Sequence, residues 1–254
     1  MKIATWNVNS LSVRLPHVLS WLKTQNPDVL ALQETKVQDA NFPVEALSEA
    51  GYHLHFTGEK SYNGVALLSK TKASDVVMAL PGLSDAPCRF LAASVDDLRI
   101  INLYVPNGSE VGSEKYAYKL HWLNTLTKYI AEQQKTYSRL VLLGDFNIAP
   151  KDEDVHDPKA WSGSVLVSEA ERDCWKALLS LNFVDAFRLH HKGDGHFSWW
   201  DYRMNAFARN HGLRIDHILI SDVLTSRCEK VEIDSFPRAW ERPSDHAPVI
   251  AYLV

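Results

Sequence analysis

Carboxylates, amides and a histidine stand at the ends of apolar runs along this chain, and that placement suggests chemistry. Trp6 gives way to Asn7, and Leu30-Ala31-Leu32 runs into Gln33-Glu34. Leu142-Leu143-Gly144 leads to Asp145-Phe146-Asn147, Arg214-Ile215 leads to Asp216, and Ser244-Asp245-His246 opens the last apolar run. A single Asp ahead of a turn is ordinarily a cap or an Asx-turn. Coincidence at this many strand ends is not explained that way, because strand ends on one sheet edge are where open α/β architectures gather functional side chains. Two carboxylates about 5 Å apart at an effective dielectric of 20 repel by roughly 3 kcal/mol. Gathering Glu34, Asp145, Asp216 and Asp245 therefore calls for protons or a divalent cation to offset the charge. Oxygen ligands favour Mg²⁺ or Mn²⁺, whereas zinc would want more histidine or thiolate. The chemistry expected of such a centre is metal-dependent phosphodiester hydrolysis.

The elements that must position these residues are mostly short strands. Lys2 to Trp6, Asp28 to Leu32, Gly64 to Ser69, Phe90 to Val95, Arg99 to Tyr104, Leu140 to Leu143, Gly212 to Ile220 and Ala247 to Leu253 read as strands. Leu140-Val141-Leu142-Leu143 is apolar on both faces, as in a strand buried from both sides. Val18, Leu19 and Leu22 recur at helical spacing after Pro16, which suits an early helix position. The longest helix starts near Ser113, with Tyr116, Leu120, Leu123, Thr127 and Ile130 on one face, and another runs from about Ser168 to Leu181. Residues 150–165 make the longest loop. Strands mixed with a few helices imply an α/β sandwich, and the absence of linker-like composition favours one domain over residues 1–254.

The bulk composition narrows the classes. At 254 residues the chain can bury a large core without staples. Cys88, Cys174 and Cys228 are widely spaced and odd in number, which suggests neither a disulfide framework nor a zinc knuckle and fits a reducing compartment. No apolar stretch approaches the ~18–20 residues needed to cross a bilayer, and MKIATWNVNS has no signal-like apolar region, so a cytoplasmic protein is expected. The formal charge of −4 is unusual for a partner of polyanions, unless the negative charge is concentrated at a metal site and a positive face lies elsewhere.

These motifs together resemble the exonuclease III family of abasic-site endonucleases, within the endonuclease/exonuclease/phosphatase superfamily. The matching runs are Trp6 to Ser10, Leu32 to Lys36, Leu103 to Gly108, Gly144 to Pro150, Trp199 to Arg203, Leu213 to Asp216 and Ser244 to Pro248, in the family's order along nearly the whole chain. The resemblance implies a four-layer α/β sandwich, two packed mixed β-sheets flanked by helices. It implies a metal held by Glu34 and Asn7, with Asp145, Asn147, Asp245 and His246 at or near metal positions. It further implies that Asp145 activates or orients the attacking water, Asn147 holds the scissile phosphate, His246 contacts that phosphate with Asp216 orienting it, and Tyr104 lies against the phosphate or leaving group. Whether one or two ions act, and which group is the general base, stays open.

The superfamily also contains phosphoinositide phosphatases and sphingomyelinases, so the catalytic set alone leaves the substrate open; a catalytically silent nucleic-acid-binding module is a further alternative. Residues 197–216 mix Trp199, Trp200, Tyr202 and Phe207 with Arg203, Arg209 and Arg214, a composition suited to stacking and phosphate contacts. By the resemblance, Trp199, Leu213 and Ile215 wall a pocket for a sugar without its base, Arg203 enters the duplex, and Tyr62, Asn63, Gly64 and Asn107 touch the DNA. The implied partner is double-stranded DNA with abasic sites or blocked 3′ ends, cut with Mg²⁺ (or Mn²⁺) by a monomer with 3′-5′ exonuclease or 3′-phosphatase activity besides. Two departures qualify this. Ser109-Glu110-Val111-Gly112 lacks the arginine that some relatives place in the minor groove, and Val165-Leu166-Val167-Ser168 lacks the small residue and the Phe-Thr-Pro pattern of many relatives, so that Leu166 is expected to narrow the pocket.

Overall fold

Alternation along the strands sorts the apolar side chains onto two faces. In Val29–Gln33, Val29 and Ala31 face one apolar cluster while Leu30 and Leu32 face another. Val141 and Leu143 likewise oppose Leu140 and Leu142 in Leu140–Asp145. The period of two on both faces is the signature of a sheet covered twice. The computed structural model describes residues 1–84 and 87–254.

In chain order the strands are β1 (Lys2–Asn7), β2 (Val29–Gln33), β3 (His53–Thr57), β4 (Val65–Ser69), β5 (Ser74–Val77) and β6 (Phe90–Val95). They continue as β7 (Leu98–Tyr104), β8 (Leu140–Asp145), β9 (Phe183–Asp185), β10 (Asp216–Ser221), β11 (Cys228–Ile233) and β12 (Val249–Leu253). One six-stranded sheet runs β11-β12-β1-β2-β4-β3 and the other β5-β6-β7-β8-β10-β9. Each has a single parallel pair at its centre, β1 with β2 and β7 with β8. The cluster of Val29, Ala31, Val141 and Leu143 lies between the sheets. Helices α1 (Leu11–Gln25) and α2 (Val44–Glu49) cover the first sheet through Val18, Trp21, Leu22 and Leu47. Helices α3 (Glu114–Gln133) and α5 (Glu169–Leu179) cover the second through Trp122, Leu126, Trp175 and Leu178. The result is the expected four-layer sandwich.

A polar bolt crosses the inner layer. Gln33 Nε2 donates to Thr5 Oγ1 at 2.9 Å and to Asn102 Oδ1 at 2.8 Å, while Asn102 Nδ2 donates to the carbonyls of Leu32 and Ala66 at 3.0 and 2.9 Å. Asn102 belongs to β7 and the others to the opposite sheet, so these bonds pin the sheets in one register close to the ends where the site forms. In a fully buried position such a network constrains more than an apolar contact of equal size.

Several expected elements differ in detail. Helix α1 begins at Leu11, so Pro16 lies inside it, in the second turn. Gly212 to Ile215 is not strand: Leu213 forms isolated bridges with Trp199 and Val155, and β10 begins only at Asp216. On α3 the buried stripe contains Lys119, Trp122 and Leu126, while Leu120 and Thr127 are half-buried. The loop after Pro150 holds the short helix α4 (Pro158–Trp161), capped by Asp157, whose side chain accepts from Ala160 N.

Candidate active site

The two central parallel pairs bring their C-terminal ends to one edge of the sandwich. Asn7 closes β1, Glu34 follows β2, Tyr104 closes β7 and Asp145 closes β8. Asp216 opens β10 directly opposite Asp145 in register, and His246 precedes β12. Gly144 makes the approach of β8 to β7 possible: at φ +142°, a Cβ there would stand 1.9 Å from the Leu103 carbonyl oxygen. Only glycine fits, and that glycine sets the height of Asp145.

The loops around this edge hold left-handed backbone at non-glycine residues: Asn9 (φ 42°), Glu34 (φ 50°), Lys36 (φ 53°) and Asn147 (φ 49°). Such conformations are uncommon outside glycine and persist where the surroundings over-determine them. Here Ser10 N donates to the Glu34 carbonyl at 2.8 Å, Leu11 N to Thr35 at 2.9 Å, and Lys36 N to Asn63 at 2.9 Å. The turn carrying Glu34 is thus clamped by the start of α1 on one side and the 62–64 loop on the other.

Asn7 is the hub. Its Nδ2 donates to Glu34 Oε1 at 2.8 Å and to Asp145 Oδ2 at 2.9 Å, and its Oδ1 accepts from Asn9 N at 3.0 Å. Lys36 Nζ lies 2.9 Å from Glu34 Oε2 and donates to Asn9 Oδ1 at 2.7 Å. Asn147 N donates to Asp145 Oδ1 at 2.9 Å, and its side-chain Nδ2 to the Val105 carbonyl at 2.9 Å. Asn107 Nδ2 reaches Asn147 Oδ1 at 3.4 Å. On the far side, His246 Nδ1 is 2.8 Å from Asp216 Oδ2, which also accepts from Ser198 Oγ at 2.7 Å. The other ring nitrogen, Nε2, faces Asp145 Oδ2 at 3.9 Å. Among the described residues, Asp216 Oδ1 is buried without a partner.

The electrostatics follow from burying this much negative charge. Burial, with Asp216 and Glu34 nearby, pushes Asp145 up to about 7 despite His246. Burial alone would lower His246, but Asp216, Asp145 and Asp245 outweigh it and push the imidazole up to about 10. Burial would raise Glu34 as well, but the Asn7 amide and the Lys36 ammonium leave its carboxyl below the ordinary value. Burial and the Glu34 carboxylate push the Tyr104 phenol up, and the Arg89 guanidinium stacks 4.4 Å from its ring.

Glu34, Asp145 and His246 can each offer one ligand atom within 4.8 Å of the others, the geometry of a metal site among the described residues. The donor chemistry fits a divalent cation: two carboxylates share an amide, an ammonium leans on one of them, and the other is driven toward protonation. Asn7 turns nitrogen toward the carboxylates, so ligation through its oxygen needs the amide to turn over. Asp245 stands beside the group, its oxygens accepting from Asn9 Nδ2 and Trp199 Nε1 at 3.0 Å each.

The residues expected to choose the substrate are more scattered. Tyr62 is 71% exposed on its loop, and Arg203 projects into solvent with its guanidinium engaged by Asp201 at 2.6 Å. Trp199 lines a cavity of about 830 Å³. Leu213 and Ile215 lie closed from solvent in an apolar cluster with Ala149, Val155, Leu166 and Val167, against which Trp199 also packs. Leu166 itself lies at φ 75° and seals that cluster at 5% exposure.

Sequence reasoning passed over Ser198, Asn9, Lys36 and Lys119. Ser198 Oγ accepts from the backbone N–H groups of Ile215 and Asp216, both at 3.0 Å, and so aims the Asp216 carboxylate. A lone Ser between aromatics carries no signal of that task. Lys36 and Asn9 were inside matched runs, where the signal was present. Met204, 80% exposed beside Arg203, is an apolar tip that charge-based reading ignored.

Comparison with known proteins agrees with this geometry. The family model described as Endonuclease/Exonuclease/phosphatase matches residues 4–246. The chain is 37% identical over 265 residues to "Exodeoxyribonuclease III" of Haemophilus influenzae, covering 99% of each. A structure of the 3′ phosphatase NExo from Neisseria, bound to product DNA hairpin, superposes with TM-score 0.98 at 44% identity over all of this chain and 99% of that one. The structure of an AP endonuclease from Archaeoglobus fulgidus superposes with TM-score 0.95 at 40% identity, again over 100% and 99%.

Proposed function

The chain belongs to the endonuclease/exonuclease/phosphatase family, and from its site geometry we propose that it is a Mg²⁺-dependent DNA repair nuclease whose preferred substrates are blocked or plain 3′ ends of duplex DNA. Incision 5′ to abasic sites would be its lesser activity, and Mn²⁺ is expected to replace Mg²⁺. The observation that carries the nuclease reading is the Glu34–Asp145–His246 group, its Asp145 and His246 buried and its Glu34 half-buried, with Asp216 behind the imidazole. The same residues argue for a hydrolase rather than a silent binding module, since neighbouring carboxylates in one enclosed site cost stability, and perturbed carboxyl and imidazole groups of this kind cluster at catalytic sites.

In this reading Glu34 and Asp145 would hold the cation, helped by Asn7 once its amide turns. Asn147, Asp245 and His246 flank the position. A bound divalent ion supplies charge neutralisation on the phosphate and acidifies water. Asp145 Oδ2 takes up or orients the proton of the attacking water. His246 Nε2–H donates to a non-bridging phosphate oxygen, the ring held by the Asp216 carboxylate and that carboxylate by Ser198. Asn147, fixed between Val105 and Asn107, positions the phosphate, and the Tyr104 hydroxyl, kept protonated, lies near the leaving oxygen.

The preference for 3′ ends rests on Leu166. A leucine at φ 75° carries strain that a glycine would not, and its side chain fills the cluster against Leu213 and Ile215, closing that cluster to an extrahelical sugar. Tyr62, Asn107 and Arg203 are assigned to DNA contacts from their positions around the site. The test is a rate comparison on matched duplexes ending in 3′-phosphate, ending in 3′-hydroxyl, or carrying one internal abasic site, with Mg²⁺ and with EDTA. Expected are Mg²⁺-dependent rates at the two ends at least ten-fold above abasic incision, and a gain in abasic incision for Leu166→Gly. Equal rates on all three in the wild type would refute the preference, and absence of any metal-dependent hydrolysis would refute the nuclease assignment.

A further inference from the structure

The cavity that begins at Trp199 has a chemistry the catalytic set does not use. Its inner wall touches the site twice. Asn107 bonds to Asn147 at 3.4 Å, and Trp199 donates to Asp245 at 3.0 Å while bridging to His246. From there it opens outward past Leu166 to Trp161, His156, His211 and Arg209. The rings of His156 and His211 stack 4.8 Å apart at 13°, and Trp161 stands edge-on to His156 at 6.5 Å and 78°. His156 is held in place through Nδ1 and its own N–H, both directed at the Gly212 carbonyl, at 3.2 and 3.1 Å. Gly212 in turn has no room for a side chain, because a Cβ there would lie 2.6 Å from Trp199 O and from Trp200 Nε1.

Flat rings and guanidinium groups share this lining, with Arg203 paired to Asp201, and such a combination recognises an aromatic heterocycle attached to a phosphate backbone. A volume of about 830 Å³ suits a whole nucleotide rather than a bare sugar. The apolar recess beside it, which a sugar without a base could enter, is already filled by Leu166. We propose that this cavity is a base-binding subsite, which receives the unstacked base of an intact 3′-terminal nucleotide while its 5′ phosphodiester lies at the Glu34–Asp145–His246 group. The inference rests on the 3′-end nuclease reading and adds to it a reason for removing undamaged nucleotides. Trp161 and the His156–His211 stack grip the base, and Arg209 and Arg203 face the backbone leading to it.

The experiment compares two duplexes that differ only at the end: an intact 3′-hydroxyl nucleotide, and the same terminus bearing a 3′-phosphate, whose hydrolysis requires no base to enter the cavity. Variants are Trp161→Ala, His211→Ala and the conservative Trp161→Phe, with kcat and KM measured separately in Mg²⁺. Loss of one stacking surface is expected to reduce kcat/KM for nucleotide removal about ten-fold. Phosphate removal should stay within two-fold of wild type, and Trp161→Phe should retain most nucleotide removal. Wild-type hydrolysis should also be inhibited more strongly by a deoxynucleoside 5′-monophosphate than by deoxyribose 5-phosphate, a difference reduced in Trp161→Ala. Parallel losses on both ends in the Ala variants, or equal inhibition by the two small molecules, would overturn the subsite while leaving the nuclease reading intact. Failure of the wild type to hydrolyse either end would overturn both.

Discussion

The buried ion pair beneath the phosphate-positioning loops offers the sharpest quantitative test. Lys119 of α3 and Glu171 of α5 are both fully enclosed and bonded to each other. Lys119 Nζ also donates to the carbonyls of Asn147 at 2.6 Å and Asn107 at 3.1 Å. Glu171 accepts from Leu166 N at 3.0 Å and from Ser168 N at 3.1 Å. One lysine therefore ties together the loops after β7 and β8 and, through Glu171, the residue that seals the apolar recess. Replacing Lys119 by Met leaves a carboxylate buried with no cation, a loss of roughly 3–5 kcal/mol. At about 2–4 °C per kcal/mol for a chain of this size, Tm should fall by on the order of 10 °C. Adding Glu171→Gln removes the orphaned charge, and Lys119→Met/Glu171→Gln should recover most of that stability. The carbonyls of Asn107 and Asn147 would still lack their ammonium, so kcat should stay at least ten-fold down while stability returns. Urea unfolding with the m-value held common gives the first quantity, and steady-state hydrolysis of a 3′-phosphate duplex gives the second. A single variant within about 1 kcal/mol of wild type, or a double variant restoring both quantities together, would refute the reasoning.

Two other expectations follow from side chains around this edge. His217 is buried, with Nε2 at 2.8 Å from the Ile148 carbonyl and Nδ1 at 3.0 Å from Arg214 Nη1, and burial with Arg214 pushes it down to about 4. Because its folded value lies below the unfolded one near 6.5, the unfolded chain binds a proton first, and stability falls as pH falls through that window, by roughly 3 kcal/mol. The urea midpoint of His217→Gln should be visibly less sensitive to pH between 6.5 and 4.5 than that of wild type; identical slopes would remove the assignment. Asp216→Asn should lower kcat by roughly 10²–10⁴-fold with little change in KM, since it leaves His246 in place but removes the carboxylate that holds it charged; near-normal turnover would exclude the positioning role.

What could be read from sequence, and what could not, divides along a physical line. Asn7, Glu34, Asp145, Asp216 and His246 were legible because each lies at the end of an apolar run, and period-two burial forces such runs into a sheet whose ends share an edge. Strands β3, β5, β9 and β11 were missed because they lie toward the sheet margins, where exposed and half-buried residues dilute the alternation. Lys119 was hidden for the opposite reason. A lysine on a helix reads as a solvated face, and only its three-dimensional partners, two loop carbonyls and a carboxylate 52 residues away, reveal it as core. The residues expected to choose the substrate were the least legible. Trp199, Leu213 and Ile215 were grouped as one wall by the family resemblance, and in the structure Trp199 packs against the cluster that encloses Leu213 and Ile215 while also lining the cavity. On the proposed reading, specificity is set by the loop side chains around the cavity and the Leu166 cluster, whereas the hydrolytic group is set where strands end, and substitutions in the first region should change which DNA end is cut without changing how it is cut.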